Sequence, residues 1–307
     1  MSLSVTEETR TQIVKLVRNF VNKDVIPVAS YYDQEDIYPV DLVDLMKEMG
    51  LFGITIPEEY GGLGLDHVTL ATIFEELSKG WMSLSGILGT HHVMASILSE
   101  HGTQEQKERL LPGMALGTIR GGLALTEPDA GSDVQNISTL ANKIEDGYII
   151  NGNKMFITNA ENGNAFAVLA KIDLEAEPPY RGMGCFIVQK PNRGIKVGQH
   201  IDKLGYRGLD TTELLFEDCK VKDTDLVGGA EGRGFHQVMS GLESGRINVA
   251  ARAVGVASAA FEAAISYAQK RKTFGKAISN HQAIQIKLAE MGTKIEAARL
   301  LTIDAAR

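Results

Sequence analysis

Gly121 to Val134 reads Gly-Gly-Leu-Ala-Leu-Thr-Glu-Pro-Asp-Ala-Gly-Ser-Asp-Val. An apolar run, Leu123 to Leu125, breaks there into a polar turn built on Pro128 and Gly131. Proline presets φ for a turn, and Asp129 can hydrogen-bond the turn backbone. Gly131 lets a ligand come close to the main chain, because no Cβ stands in the way. Thr126, Ser132 and Asp133 add hydroxyls and a carboxylate. Taken alone, such a loop is more often a connection than a site. A second stretch, Lys154-Met155-Phe156-Ile157-Thr158-Asn159, changes the balance, because an aromatic and a hydroxyl alternate along an expected strand.

Outward from this turn the chain divides by pattern. From Arg120 to Val227 short alternating runs dominate, among them Tyr148-Ile-Ile, Phe166-Ala-Val-Leu-Ala, Cys185-Phe-Ile-Val, Ile195-Lys-Val and Glu213-Leu-Leu-Phe. Turn signals such as Glu145-Asp-Gly and Asn151-Gly-Asn separate them, the pattern of an antiparallel β domain. No helical stretch is available there as a crossover, which excludes a doubly wound parallel sheet. Before this region, helical spacing covers residues 6–30 (ended by Pro27), Val40 to Met49 (closed by Gly50 in a left-handed cap), Asp66 to Gly80, Ser83 to Gly102 and Gln104 to Gly117. After Gly228-Gly-Ala-Glu-Gly-Arg-Gly, helix returns over Phe235 to Arg271 and Asn280 to Arg307. Ala250, Ala251, Ala253, Gly255, Ala257 and Ser258 allow close helix approach in the first of these. Ile284, Leu288, Met291, Ile295 and Ala298 form a stripe on the second. The expected fold is α+β multidomain: a helical domain over 1–118, a central antiparallel β domain over 119–229 and a helical bundle domain over 230–307. Two helices cannot enclose a bundle core, so either partner subunits complete it or the sequence is truncated.

Composition narrows the function classes. The 307 residues are 44% hydrophobic and 23% charged, an ordinary globular balance with enough apolar material for a core. A formal charge of −8 argues against a general nucleic-acid or anionic-membrane binder, since no basic excess exists to displace counterions, and leaves room for a local basic patch that holds a phosphorylated cofactor. Cys185 and Cys219 stand far apart without metal-ligand spacing, so no disulfide framework and no metal are expected. Met1-Ser2-Leu3-Ser4-Val5 lacks a signal pattern, and no apolar run of membrane length is expected, which points to the cytoplasm or, as the alternative, to an organelle matrix after removal of a targeting segment. On the helix bearing His91 and His92, adjacent rings point about 100° apart and do not share a metal easily.

The two stretches that begin at Gly121 and Lys154 resemble the acyl-CoA dehydrogenase family of flavoproteins. The motif Leu-Thr-Glu-Pro-x-Ala-Gly-Ser-Asp-Val is long and specific, and Pro57-Glu-Glu-Tyr-Gly-Gly is similar to the family's first inter-helix loop. The resemblance covers the whole chain. It implies FAD as cofactor and α,β-dehydrogenation of an acyl thioester, with electrons passed to an electron-transfer flavoprotein. It assigns Leu125 and Thr126 to the flavin ring, Ser132 to the pyrophosphate and the CoA chain, and Phe156 and Thr158 to covering the ring and reaching N5. Leu123, Gly131 and Ile157 complete that cofactor set. Arg271-Lys-Thr-Phe-Gly with His281-Gln282 implies contact with the FAD of a neighbouring subunit, through Arg271, Thr273, Phe274 and Gln282. A homo-oligomer, typically a tetramer, is implied. Thr90 and His91 would border the acyl-chain pocket.

Leu242-Glu243-Ser244-Gly245-Arg246 is similar to the family segment Leu-Asp-x-x-Arg that contacts CoA, which makes Glu243 and Arg246 substrate-binding candidates. Glu243 stands where aspartate is usual. Isovaleryl and long-chain members carry the catalytic glutamate just before this arginine, where this chain has Gly245. Other members carry it beyond the second long helix, so the resemblance places the base past Arg307 and assigns no catalytic residue here. Glu243 lies two residues from that position and about 160° round the helix. Glutaryl-type members have an arginine where this chain has Met82, which disfavours a dicarboxylyl substrate. A neutral short, medium or branched acyl-CoA is expected. Two rivals stay open on sequence: a flavin oxidase of the same fold acting on acyl-CoA or a nitroalkane, told apart by oxygen reactivity, and a non-catalytic FAD- or CoA-binding relative.

Overall fold

The computed structural model describes residues 6–307, and the Met1–Val5 segment lies outside the described residues. Helix α1 (Glu7–Phe20) starts where the Thr6 hydroxyl accepts the Thr9 N–H at 3.2 Å. The stop expected at Pro27 does not occur: a π turn over Val21–Val25 leads straight into α2 (Ile26–Glu35). In that turn the Ile26 N–H reaches back to the Val21 carbonyl. The widened spiral takes up the break, and the proline sits in the first turn after it, where its missing N–H costs little. Helix α3 (Val40–Glu48) ends at Gly50 with φ 71°, as expected. Then come α4 (His67–Gly80), capped by Asp66, α5 (Met82–His101), and α6 (Gln104–Ala115), which opens with a reciprocal Thr103–Gln106 capping box.

Seven strands follow: β1 (Gly121–Ala124), β2 (Leu140–Ile144), β3 (Gly147–Thr158), β4 (Ala165–Lys171), β5 (Met183–Gln189), β6 (Ile195–His200) and β7 (Thr211–Lys222). Their order is β1-β4-β2-β3-β7-β6, with β5 also on β4. One expectation is corrected here. The sheet is mainly antiparallel, but β1 runs parallel to β4 from Gly121↔Ala165 to Ala124↔Val168, and β2 meets β4 in parallel at Leu140↔Lys171. The β2–β3 hairpin occupies the long connection between the two parallel partners, so no crossover helix is needed. The chain ends with α7 (Gly234–Lys270), a two-residue hairpin of β8 (Lys272–Thr273) and β9 (Lys276–Ala277), and α8 (Gln282–Ala305).

Two compact units emerge. The first holds Tyr32–Leu65 and Gly86–Gly245, and so the whole seven-stranded sheet. Side chains alternate across β4 and β5. Ala165, Ala167, Leu169, Cys185 and Ile187 pack on one face with Ile97 and Leu98 of α5, Leu110 and Met114 of α6 and Val238 of α7. Phe166, Val168, Ala170, Phe186 and Val188 face the other way, against Tyr148, Ile150, Leu214 and Phe216. Both faces of these strands are thus covered, which explains their continuous apolar runs. Both cysteines lie buried in these layers as free thiols.

The second unit holds residues 6–31, Asp66–Ser85 and Arg246–Arg307. Arg10 joins α1 to α4 through Asp66 at 2.9 Å and the Thr69 hydroxyl at 3.0 Å. A Cβ at Gly255 would come within 2.3 Å of the Glu75 carbonyl, so α7 and α4 approach as the small-residue run suggested. The same run makes α7 apolar enough by length and composition to cross a membrane, with a window of mean hydropathy 1.4, so the absence of any such stretch does not hold. Only 22% of that window is buried within the chain. On α8, Ile284, Leu288, Met291 and Ile295 are half-buried as a stripe while Ala298 is exposed.

Candidate functional site

At the end of β1 the chain turns on itself. Glu127 donates its N–H to the Ala130 carbonyl at 2.8 Å and accepts the Ala130 N–H at 3.2 Å, with Pro128 and Asp129 between them. This closed turn brings Gly131 back beside Thr126: a Cβ at Gly131 would meet only the Thr126 methyl, at 3.9 Å. Leu125 is 9% exposed and Thr126 half-buried, while Gly131 and Ser132 are exposed. The Thr126 carbonyl accepts the Met155 N–H at 2.7 Å, which fastens the turn to β3.

Strand β3 breaks its register against β7 between Lys154 and Ile157. Within that bulge Phe156 takes φ 59° and turns its ring outward, 59% exposed. A left-handed aromatic residue costs about 1–2 kcal/mol, and such strain collects at functional sites. Ile157 points back into the core, and Thr158 is half-buried with its carbonyl against β1, 2.9 Å from where a Gly122 Cβ would stand. The structure therefore brings together Leu123, Leu125, Thr126 and Gly131 with Phe156, Ile157 and Thr158. Among the described residues, neither the Leu125 and Thr126 N–H groups nor the Thr126, Ser132 and Thr158 hydroxyls have hydrogen-bond partners. An open aromatic face beside unpaired donors fits a flat ring with acceptors on its edge, as in the expected flavin.

Sequence reasoning missed the group beneath this surface. The Glu127 carboxylate is buried and accepts from the Ser138 hydroxyl at 2.7 Å, Thr139 N–H at 3.0 Å, Thr139 hydroxyl at 2.6 Å and Lys154 Nζ at 2.8 Å. Lys154, fully buried, also donates to the Leu125 carbonyl at 3.1 Å. Burial pushes the Glu127 carboxyl up, but the Lys154 charge and these donors outweigh it and hold its pKa at about 2. Burial lowers the Lys154 ammonium to about 8 against the pull of Glu127. Both residues stood inside the two quoted stretches. Each is set among polar and turn residues, Thr126 to Asp133 for the acid and Asn151 to Asn153 for the base, so the sequence carries no local signal of their burial.

His91 is enclosed between helix, loop and strand. It is fully buried, its Nε2 donates to the Phe52 carbonyl at 3.0 Å and its Nδ1 accepts the Gly121 N–H at 3.1 Å. Burial, then the neighbouring His92, lowers its pKa to about 3. The Thr90 hydroxyl is half-buried and meets the Asn159 amide at 3.0 Å, and that amide also reaches the Ile87 carbonyl at 2.9 Å. Both residues thus tie α5 to the sheet.

The remaining candidates lie elsewhere. Arg271, Thr273, Phe274 and Gln282 belong to the second unit, around the β8–β9 hairpin, and are not brought beside the β1 turn within one unit. Phe274 and Gly275 take φ 50° and 78°, the pair of left-handed residues that a two-residue hairpin turn requires. The Thr273 hydroxyl meets His281 Nε2 at 3.0 Å, while the Phe274 ring is 97% exposed. Glu243 and Arg246 lie one turn apart on α7. Between them, a Cβ at Gly245 would stand 3.2 Å from Val93, and no carboxylate occupies that position.

The sequence signature described as acyl-CoA dehydrogenase N-terminal domain matches residues 7–118, that of the middle domain 122–219 and that of the C-terminal domain 232–307. An acyl-CoA dehydrogenase of Bacillus subtilis (strain 168) is 40% identical over 306 residues, 99% of this chain and 79% of that protein. The mitochondrial isovaleryl-CoA dehydrogenase of Solanum tuberosum is 38% identical over 305 residues, 98% of this chain and 73% of that protein. The solved structure of butyryl-CoA dehydrogenase from Megasphaera elsdenii has a TM-score of 0.94 at 36% identity, covering 100% of this chain and 80% of that one.

Proposed function

The chain belongs to the acyl-CoA dehydrogenase family, an FAD-dependent family of enzymes, and from that premise we propose that it oxidises a neutral short, medium or branched acyl-CoA to the trans-2-enoyl-CoA. The observation that carries this reading is the Phe156 bulge set beside the unpaired donors of Leu125 and Thr126.

FAD supplies an acceptor for the hydride that leaves the β carbon. The chain's own residues do the rest. Leu125 and Thr126 would hold the cofactor through N–H and hydroxyl donors, and Phe156 would offer its open aromatic face to the ring. The exposed turn at Gly131 and Ser132 leaves room for a diphosphate or a pantetheine chain. Arg246 supplies a cation on α7, with Glu243 one turn before it. None of the described residues is assigned as the base for the α proton: Gly245 has no carboxylate to offer, and Glu243 points away from that position.

Homo-oligomerisation, as a tetramer, is part of the proposal. Val249, Val256 and Tyr267 on α7 are 58%, 42% and 61% exposed, and Leu300 and Leu301 on α8 are 62% and 71% exposed. So much apolar surface on two long helices is what another copy would cover. Phe274 and Arg271 then reach a cofactor bound to a neighbour. Electrons pass on to an electron-transfer flavoprotein.

The substrate claim is tested with butyryl-, isobutyryl-, octanoyl- and glutaryl-CoA, added to the native enzyme without oxygen and followed by flavin absorbance. Reduction by the neutral thioesters and not by glutaryl-CoA is expected. Preferential reduction by glutaryl-CoA contradicts the assignment, since Met82 offers no charge to a distal carboxylate.

A further inference from the structure

We propose that Lys154 and Glu127 form a positioning pair for the cofactor site, holding the β1 turn and the β3 bulge in the one arrangement that presents donors beside an open aromatic face. The inference rests on the reading of Leu125, Thr126 and Phe156 as cofactor contacts.

The geometry is specific. Lys154 is the last residue of β3 in register before the bulge, two residues from Phe156. Its ammonium reaches across to the Leu125 carbonyl at 3.1 Å and the Glu127 carboxylate at 2.8 Å, one residue on each side of Thr126. The next residue, Met155, gives its N–H to the Thr126 carbonyl at 2.7 Å. Two consecutive carbonyls of the turn are thereby fixed toward β3. Because a peptide unit is planar, fixing a carbonyl also fixes the direction of the N–H in the same unit, here those of Thr126 and Glu127. Glu127 is in turn held by the hydroxyls and N–H groups of Ser138 and Thr139, at the start of β2. The pair thus couples three segments below the surface, with both side chains closed off from solvent.

A buried pair that served only stability would behave differently. Replacing both charges by neutral groups of similar shape is often neutral or stabilising, whereas removing one leaves a buried charge unpaired. Four variants separate the possibilities: Lys154→Met, the double variant Glu127→Gln with Lys154→Met, Lys154→Arg, and Phe156→Ala. Each apoprotein is titrated with FAD by flavin fluorescence, and its thermal midpoint is measured without FAD.

Lys154→Met should lower the midpoint and weaken FAD binding. The double variant should regain the midpoint yet still bind FAD about tenfold more weakly, the factor of one charge-assisted hydrogen bond. Recovery of both midpoint and affinity overturns the positioning role and leaves the pair merely structural. If the double variant stays unstable, Lys154→Arg decides, because it keeps the charge. Affinity within about threefold of the unmodified protein, well short of that tenfold loss, sustains the proposal, and a full loss despite an unchanged midpoint overturns it. Phe156→Ala tests the underlying reading separately: unaltered FAD affinity there removes the cofactor contact itself, whatever the lysine variants do.

Discussion

The His91 imidazole accepts the Gly121 N–H at 3.1 Å and donates to the Phe52 carbonyl at 3.0 Å, so one buried ring joins α5 to the strand that leads into the cofactor turn. With its pKa lowered from 6.5 to about 3, the ring is neutral in the folded chain. Unfolding returns it to the ordinary value, so the unfolded chain binds one more proton between those limits. Stability is therefore complete above about pH 6.5 and falls by about 1.4 kcal/mol per pH unit as the pH drops through that window. His91→Gln should cost about 2 kcal/mol near neutrality and flatten the dependence between pH 6.5 and 4. Thermal midpoints across that range check it; an unchanged slope would mean that another group takes up the proton.

Phe156 carries its left-handed backbone at a cost that glycine does not bear. Phe156→Gly should therefore leave the apoprotein as stable or raise it by up to about 1 kcal/mol. FAD affinity should fall. Opposite signs on stability and affinity are the mark of a residue strained for binding. A parallel loss of both would mark Phe156 as a packing residue.

In the second unit, Arg299 spans Glu75 at 3.1 and 3.2 Å and the Ser258 hydroxyl at 3.0 Å, joining α8 to α4 and α7. Glu75 is 8% exposed, and after Arg299→Met its carboxylate keeps only the Lys79 ammonium, 3.8 Å away. A loss of about 2–4 kcal/mol is expected, read as a fall in the thermal midpoint. Combining Glu75→Gln with Arg299→Met should recover part of it. No recovery would show that the arginine acts through packing alone.

Phe274 sits at the tip of the β8–β9 hairpin, 97% exposed with φ 50°. Asparagine accepts that backbone better and gives up no burial inside the chain. Phe274→Asn should leave the midpoint of the dilute protein unchanged while weakening self-association in sedimentation velocity. Unchanged assembly would remove this ring from the oligomer contact.

Much of the fold was legible because its signals are local. The Gly50 stop, the α7 and α8 periodicities and the alternating runs of β4 and β5 each depend on residues a few positions apart. What escaped depends on distant partners. The parallel β1–β4 pairing links residues more than forty apart, and nothing in Gly121–Ala124 marks the direction of its neighbour. Pro27 read as a stop because a π turn has no composition of its own. At the site, Phe156 and the turn were visible as an aromatic and a hydroxyl-rich loop. Glu127 and Lys154 were not, since charged residues in polar stretches look solvated until both are seen buried on each other. The tie that His91 makes was hidden for the same reason: its two partners, Phe52 and Gly121, come from either side of its own helix in the chain.

The most direct test of the central claim is the visible spectrum of the native protein before and after butyryl-CoA, recorded without oxygen. The account predicts a yellow flavoprotein whose absorbance bleaches as trans-2-enoyl-CoA forms, and a Phe156→Gly variant with weakened flavin binding. A flavin band that persists with every neutral acyl-CoA, or a site that holds FAD equally well without the Phe156 ring, would contradict it.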